Sequence, residues 1–365
     1  LTARTEVTLG APAETMMQLC DHFAEHGTIT SDGGARIIRT AFGTARMTPG
    51  RSNLTIDAMG VDETALAYVK LSITEHLLHF AGSESPRIVW SGDGAAGRPL
   101  PYFREMRVVR TASLTPRMQR LTLAGESLGR FATGGIHVRL LLTKDRDRTP
   151  AWPVTGEDGR PQWPTGAARP DARIYTIRRI DVVAGEVDFV LHEGSDMPGA
   201  RFGAEARPGD VVGMTGPGGA ALAPAQWYLF AGDETALPAI ARMLEDLPPT
   251  AAAVVRIQVE NGAEEQTLAS TAALDLQWLH RSGPRADDGS LADAVRAVRI
   301  PDDGRSIFVW AGCEHGDFRA IRGYVRNELC LPREQHLVAA YWRRGFDGEN
   351  RQATRETAAA QNPSA

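Results

Sequence analysis

The sequence has few cysteines, and none is arranged for a shared site. Cys20, Cys313 and Cys330 are the three cysteines among 365 residues, and no two of them form a Cys-x-x-Cys pair. This spacing argues against a disulfide framework, a zinc ribbon and a cysteine-ligated iron–sulfur cluster.

Long apolar runs and an excess of positive charge are also missing. No run of eighteen apolar residues occurs, and the chain does not begin with the charged, apolar and small segments of a secretion signal. The formal net charge is -5, whereas a general nucleic-acid binder is normally basic. We therefore expect a cytoplasmic protein with reduced thiols that neither enters a membrane nor binds nucleic acid.

The composition is that of an ordinary globular protein. Apolar residues make up 42% and charged residues 23% of the chain. Its length allows two or three domains, each with its own core.

Residues 1–97 have the pattern of an α+β domain. We predict a helix over 12–26, closed by Gly27, and a second helix over 61–80 with one apolar stripe. Short segments with strand character are predicted at 35–40, 44–47, 52–58 and 87–90. A Gly- and Pro-rich linker follows them.

Residues 102–222 are rich in strands, and six strands suit a small closed antiparallel barrel. A Pro- and Gly-rich insertion, 150–170, interrupts the barrel and is expected to be either functional or disordered. The predicted strands are 107–110, 119–124, 138–142, 173–178, 186–191 and 210–214.

Residues 225–345 alternate strands with helices. Such alternation predicts a parallel sheet covered by helices on both faces. Residues 346–365 are polar and Ala-rich, so a disordered tail is expected there.

The segment Arg173-Ile174-Tyr175-Thr176 lies on a predicted barrel strand and suits a flavin. The arginine can bind a phosphate with two hydrogen bonds, the tyrosine ring can lie against the isoalloxazine, and the threonine hydroxyl can reach the ring edge. We therefore predict a flavin cofactor.

The segment Gly232-Asp233-Glu234-Thr235 follows the first strand of the α/β stretch, where open parallel sheets bind their ligands. A helix N-terminus at this place favours phosphate. However, the Gly-x-Gly-x-x-Gly fingerprint is absent, and two acidic side chains would repel a phosphate placed on them. Helix capping explains Asp233 and Thr235 equally well.

The first domain contains two pairs of histidines at helical spacing. His22 and His26 stand one turn apart on one predicted helix, and His76 and His79 lie on the other. Histidines four apart can share a metal, but no carboxylate completes a site, so we favour packing and predict no metal centre.

From the barrel onward, the chain resembles the ferredoxin-reductase superfamily, and within it the siderophore-interacting proteins, which are FAD-dependent ferric-siderophore reductases. The first 97 residues resemble a domain of unknown function that some members carry upstream. The matching segments are Leu114–Met118, Arg173–Arg178, Asp188–His192, Arg207–Asp210, Ala231–Ile240 and Tyr341–Gly345.

The resemblance implies three sets of contacts. The residues implied for FAD are Arg173, Tyr175, Thr176, Leu191, His192, Ala200, Arg201 and Thr235. Those implied for NADPH or NADH are Gly232, Asp233, Glu234, Cys313 and Glu314. Those implied for an anionic ferric siderophore are Arg178, Arg343 and Arg344, since a guanidinium is permanently charged.

The phosphate loop departs from the family pattern. Where relatives carry Pro-Ala-Ser-x-Trp-Ala, this chain reads Pro198-Gly199-Ala200-Arg201-Phe202-Gly203. The serine hydroxyl is replaced by Ala200 and the tryptophan by Phe202, so a change in FAD affinity is expected. Backbone N–H groups can still bind phosphate, and Arg201 adds a charge.

The function implied by the resemblance is an NAD(P)H-dependent, FAD-containing ferric-siderophore reductase that releases iron as Fe(II). Hard oxygen ligands hold Fe(III) much more firmly than Fe(II), so reduction frees the metal. No acid–base residue is required. A general flavin reductase or diaphorase is an alternative, as is a non-enzymatic siderophore-binding accessory protein.

Overall fold

A computed structural model describes residues 1–146, 148–191, 197–219, 222–283 and 290–345. The chain forms two compact units. One comprises residues 1–103 and 147–170, and the other comprises 104–146 and the chain from 171 onward. His192 and the predicted tail, 346–365, lie outside the described residues.

The first unit is an antiparallel six-stranded sheet with two helices, which confirms the predicted α+β fold. The strand order is β2-β3-β4-β5-β1-β6. Alternate residues of β1 and β5 are buried, because successive side chains of a strand point to opposite faces. The elements are β1 Thr2–Thr8, α1 Pro12–Phe23, β2 Thr28–Asp32, β3 Ala35–Arg39, β4 Gly43–Pro49, β5 Asn53–Gly60, α2 Glu63–Phe80 and β6 Ser91–Gly92.

The sequence did not predict β1 and β2, and the strand predicted at 87–90 is wrong. Those residues have no strand structure, and β6 follows them. The Trp90 amide instead donates to the carbonyl of Glu157 at 2.9 Å, and the indole Nε1 donates to the carbonyl of Asp158 at 3.1 Å. The insertion at 150–170 is therefore built into the first unit, where it forms a short hairpin from Val154–Thr155 and Pro161–Gln162.

The second unit begins with the predicted closed barrel of six antiparallel strands. Its core contains the fully buried rings of Phe131 and Phe189 among aliphatic residues. The strands are β7 Phe103–Thr115, β8 Met118–Ala124, β9 His137–Leu142, β10 Asp171–Ile180, β11 Ala184–Val190 and β12 Val211–Gly218, and helix α3 covers Pro198–Glu205.

A parallel five-stranded sheet follows in the order β15-β14-β13-β16-β17, with α4 on one face and α5 and α6 on the other, as predicted. The elements are β13 Trp227–Asp233, α4 Leu237–Glu245, β14 Ala252–Val259, β15 Ala273–His280, α5 Leu291–Arg296, β16 Ile307–Glu314, α6 His315–Gly323 and β17 His336–Trp342. A π-helical turn, Tyr324–Glu328, extends α6. The carboxyl ends of all five strands therefore share one edge.

Charged and polar contacts join the barrel to the sheet within this unit. Arg178 of β10 binds Glu245 of α4 through both carboxylate oxygens, one of them at 2.9 Å. Arg242 donates to the carbonyl of Ile177 at 2.7 Å. Buried Glu264 accepts from the hydroxyl of Thr115, so both sides of the junction are fixed by hydrogen bonds.

In the described part of the chain, every helix is too short or too polar to cross a membrane.

Helix α3 lies so close to the barrel that Gly203 has no room for a side chain. A Cβ at this position would lie 2.6 Å from the Cβ of Phe189, which sits on the backbone of β11 and cannot swing away. We expect Gly203→Ala to destabilise the barrel by about 1–3 kcal/mol, as overpacking of a core does. Urea unfolding followed by near-ultraviolet circular dichroism measures the loss.

Gly323→Ala is the matched control, because a Cβ there meets no atom within 4 Å at the end of α6. It should leave stability unchanged or raise it by up to about 1 kcal/mol. Equal stabilities of the two variants would contradict the close packing of α3.

Candidate functional site

Arg173 presents an unused hydrogen-bond donor on β10. Its Nη1 donates to the carbonyl of Ala172 at 3.0 Å. Its Nε is buried and has no hydrogen-bond partner within the described ranges. Buried polar groups are normally paired, so this nitrogen suits an anionic oxygen from a ligand.

Tyr175 lies beside the start of α3. Its ring contacts Phe189 with the centroids 4.3 Å apart, and its hydroxyl lies 2.1 Å from where a Cβ of Gly199 would stand. Only glycine allows this approach. Burial raises the pKa of Tyr175, so its hydroxyl stays a donor at neutral pH. Thr176 is buried and pairs with His137 of the adjacent strand β9.

Among the described residues, no side chain caps the first turn of α3. Its N-cap residue, Met197, makes no side-chain hydrogen bond, and the turn contains no acidic residue. An uncapped helix N-terminus attracts phosphate through its N–H groups and its dipole. Ala200 is buried towards the barrel and Arg201 is exposed, so the two predicted contacts lie in different surroundings.

These residues fit FAD. The open Nε of Arg173 and the bare start of α3 suit its phosphates, and the aromatic Tyr175 between them suits its ring system. Phe202, which replaces the family tryptophan, packs on Phe189 at 5.9 Å between centroids, so the substitution preserves an aromatic wall for the barrel. Leu191 is held by its amide, which donates to the carbonyl of Arg117 at 2.8 Å.

Asp233 uses both carboxylate oxygens inside the protein. Oδ1 accepts from the amide of Thr235 at 2.9 Å and from its hydroxyl. Oδ2 accepts from the amide of Glu314 at 2.9 Å and from the indole N–H of Trp342 at 2.7 Å. Asp233 therefore fixes the carboxyl ends of β13, β16 and β17, and its contact with a nucleotide stays a prediction.

Glu234 begins a chain of charges along the same edge. It is buried and forms an ion pair with Arg281, the residue after β15. The Nε of Arg281 lies 3.8 Å from Glu260, which follows β14, and Glu260 binds Arg117 at 3.0 Å. Burial raises the pKa of Glu234, while Arg281 opposes the shift.

Glu260 and Arg281 were not predicted as site residues. Each directly follows a strand of the parallel sheet, and this place at the edge where ligands bind was the available signal.

Cys313 and Glu314 end β16. Cys313 is fully buried, and burial raises the pKa of its thiol, so it remains a protonated packing residue. Burial also raises the pKa of Glu314, but hydrogen bonds from the amides of Arg344 and Gly316 outweigh that effect and hold it below its usual value. Glu314 thus caps α6 while it also binds the segment after β17.

Gly232 lies at the tightest point of β13. A Cβ there would lie 2.7 Å from the Cβ of Ala236 and 3.0 Å from the carbonyl oxygen of Gly312. The glycine therefore serves close packing of strand and helix, and its predicted nucleotide contact is limited to the backbone.

His137 and Tyr341 form a further contact that the sequence analysis did not propose. The Nε2 of His137 lies 2.7 Å from the hydroxyl of Tyr341 on β17, and burial lowers the pKa of the imidazole. Because His137 also pairs with Thr176, the flavin strand and the end of the sheet meet here.

The three arginines predicted for the siderophore differ in their surroundings. Arg343 and Arg344 follow β17 and are exposed, and the amide of Arg344 donates to Glu314 at 3.0 Å. The side chain of Arg178 is only 10% exposed and is paired with Glu245. To bind a siderophore, Arg178 would first have to leave this carboxylate.

Replacing Arg173 tests the flavin site. We expect Arg173→Gln to weaken FAD binding by about ten- to a hundredfold, because a charge-assisted hydrogen bond to phosphate is lost. Quenching of FAD fluorescence by the apoprotein gives the dissociation constant. Arg179→Gln removes the same charge from an exposed position on the same strand and should leave the constant unchanged. Equal affinities of both variants would exclude the role of Arg173.

Replacing Asp233 tests the edge of the sheet. In Asp233→Asn the side-chain N–H₂ must face at least one of the groups that now donate a hydrogen bond to Asp233. We therefore expect the free energy of unfolding to fall by about 1–3 kcal/mol. Urea unfolding followed by tryptophan fluorescence measures it. Asp302→Asn, at an exposed loop position, is the control and should be neutral. If Asp233→Asn unfolds at the same urea concentration as the wild type, the carboxylate does not join the strand ends.

Three family models match the chain. Residues 107–221 match the siderophore-interacting FAD-binding domain, and residues 225–345 match the siderophore-interacting protein model. Residues 4–91 match an uncharacterized family conserved in bacteria, DUF2218.

Curated relatives cover the same share of the chain. The chain is 29% identical over 254 residues to the ferric vibriobactin reductase of Vibrio cholerae, with 68% of this chain and 92% of the relative covered. It is 31% identical over 253 residues to the NADPH-dependent ferric-chelate reductase of Escherichia coli, covering 66% and 92%. An uncharacterized protein of Mycobacterium bovis is 35% identical over 274 residues, covering 68% and 92%.

Solved structures agree with these matches. A siderophore utilization protein from T. fusca is 32% identical, with a TM-score of 0.58 and coverage of 67% of this chain and 94% of that one. A siderophore-interacting protein from Aeromonas hydrophila is 28% identical, with a TM-score of 0.58 and coverage of 71% and 98%. The barrel and the parallel sheet of this chain, together with these matches, show that it is an FAD-binding oxidoreductase of the siderophore-interacting protein family with an N-terminal DUF2218 domain.

Proposed function

We propose that this protein is an NAD(P)H-dependent ferric-siderophore reductase that releases iron as Fe(II). The observation that carries the proposal is the meeting of two sites in one unit: the flavin strand β10 and the carboxyl edge of the parallel sheet. The relatives named for ferric vibriobactin and ferric-chelate reduction support the same reaction.

The overall reaction balances without an acid–base residue. One NAD(P)H gives a hydride, and its two electrons reduce two ferric complexes to Fe(II), leaving NAD(P)⁺ and one proton. FAD, when bound, converts the two-electron donor into single electrons. Since the oxygen ligands of siderophores hold Fe(II) weakly, the metal then dissociates.

The chain itself supplies binding, orientation and charge. Arg173 and the start of α3 would hold the phosphates of FAD, and Tyr175 and Thr176 would contact its ring. Gly232 and Glu314 line the edge for the dinucleotide, and Asp233 keeps that edge in place by binding Thr235 and Glu314. Exposed Arg343 and Arg344 attract an anionic ferric complex.

An anaerobic assay tests this function. FAD-loaded protein is mixed with NADH or NADPH, a ferric hydroxamate, catecholate or citrate complex, and a chelator specific for Fe(II). We expect the dinucleotide to bleach the visible absorbance of the flavin. We also expect the chelator to trap two Fe(II) for each NAD(P)H oxidised. Flavin reoxidation without trapped Fe(II) would instead indicate a general flavin reductase or diaphorase, and failure to bind flavin would leave a siderophore-binding accessory protein.

Removing both exposed arginines tests substrate binding. In Arg343→Gln/Arg344→Gln we expect the KM for an anionic ferric complex to rise about tenfold, since two attractive charges are lost, while reduction of the flavin by dinucleotide is unchanged. Arg319→Gln/Arg322→Gln removes two exposed charges from α6 and serves as the control. A KM equal in both double variants would exclude Arg343 and Arg344 from the substrate site.

A further inference from the structure

The edge beyond β13, β14 and β15 contains the residues that decide between the two dinucleotides. In doubly wound sheets the nucleotide lies outside the carboxyl ends of the strands, where the strand order reverses. Here the order reverses at β13, between β14 and β16. An acidic residue after the second strand accepts the ribose 2′-hydroxyl of NAD, whereas an arginine nearby receives the 2′-phosphate of NADP.

Glu260 occupies the acidic position. It follows β14, the second strand of the sheet, and its side chain is 24% exposed, so a ligand can reach it. Its Oε2 lies 3.0 Å from Arg117 Nη1 and 3.8 Å from Arg281 Nε, which fixes the carboxylate at the edge. The carbonyl of Glu260 also accepts from the amide of Ser282 at 2.8 Å, so its backbone is held in place.

Arg281 lies 3.8 Å from Glu260, farther than Arg117 at 3.0 Å, and its charge is already paired with another carboxylate. Its Nη2 binds Glu234, whose side chain is only 8% exposed. If Arg281 turned to a phosphate, a buried carboxylate would lose its partner, which is strongly unfavourable. Among the described residues, a 2′-phosphate would therefore meet Glu260 where the guanidinium groups of Arg117 and Arg281 are both held by carboxylates.

The balance of charge along the edge points the same way. Among the described residues at the ends of β13 and β14 and beside them, Asp233, Glu234, Glu260 and Glu264 contribute four carboxylates, against the guanidinium groups of Arg117 and Arg281. A neutral 2′-hydroxyl can donate to one of these carboxylates, whereas a phosphate would add negative charge to a site that already has an excess.

We propose that the protein takes NADH in preference to NADPH, and that Glu260 makes the choice by accepting the ribose 2′-hydroxyl and repelling a 2′-phosphate. The inference rests on the proposed use of a nicotinamide dinucleotide. It adds the identity of the dinucleotide and the residue that selects it.

Calorimetric titration of the FAD-loaded protein with NAD⁺ and NADP⁺ tests the preference without turnover. We expect NAD⁺ to bind at least about tenfold more tightly, a difference of about 1.4 kcal/mol. In Glu260→Gln this ratio should fall, chiefly because NADP⁺ binds better. Asp275→Asn loses the same charge from an exposed site on β15 that pairs with Arg256, and should keep the wild-type ratio.

The outcomes separate the two proposals. Wild-type protein that binds NADP⁺ as tightly as NAD⁺ overturns the preference, and an unchanged ratio in Glu260→Gln overturns the role of Glu260. If Glu260→Gln does not retain its circular dichroism and flavin spectrum, Glu260→Ser is measured instead against the same two criteria. Tight, selective binding of NAD⁺ without reduction of the flavin by NADH would support the selectivity while contradicting the proposed reductase.

Discussion

The carboxylate of Asp233 is the contact on which the candidate site depends. Through Glu314 and Trp342 it joins the ends of three strands that are far apart in sequence, and through Thr235 it shapes the turn into α4. Four donors around one carboxylate satisfy it, so burial does not destabilise the charge. The arrangement explains why an acidic residue stands where a phosphate-binding fingerprint would otherwise be expected: it builds the edge on which a dinucleotide can lie.

The barrel and the sheet each contribute half of a site, and polar contacts hold the halves together. The ion pair of Arg178 with Glu245 and the contact of His137 with Tyr341 both connect β10 or its neighbour to the α/β elements. Strand β10 therefore has two roles. One face presents Tyr175 towards α3, and the other presents Arg178 towards α4, because successive residues of a strand point in opposite directions apart from the local bulge after Ile177.

Much of the architecture could be predicted because it depends on local sequence patterns. The alternation of apolar residues in strands, the apolar stripes of helices and the turns rich in Gly and Pro predict the α+β domain, the barrel and the parallel sheet. Most predicted strand ends lie within a few residues of the observed ones. The errors lie where distant segments interact. The strand predicted at 87–90 is absent because Trp90 binds the insertion, and β2, of which every residue is at least partly exposed, has no apolar alternation to reveal it. The insertion itself is ordered through backbone contacts that its composition does not encode.

The family and the fold class could be predicted from the sequence, because these depend on short motifs and on periodicity. The partners of individual charged side chains could be known only from the fold. Arg178 faces Glu245, Asp233 is fully occupied, and Glu260 stands between Arg117 and Arg281. A charged residue looks the same in a sequence whether it binds a ligand or another side chain. Its partner is fixed by strand order and register, which bring together residues separated by tens to more than a hundred positions.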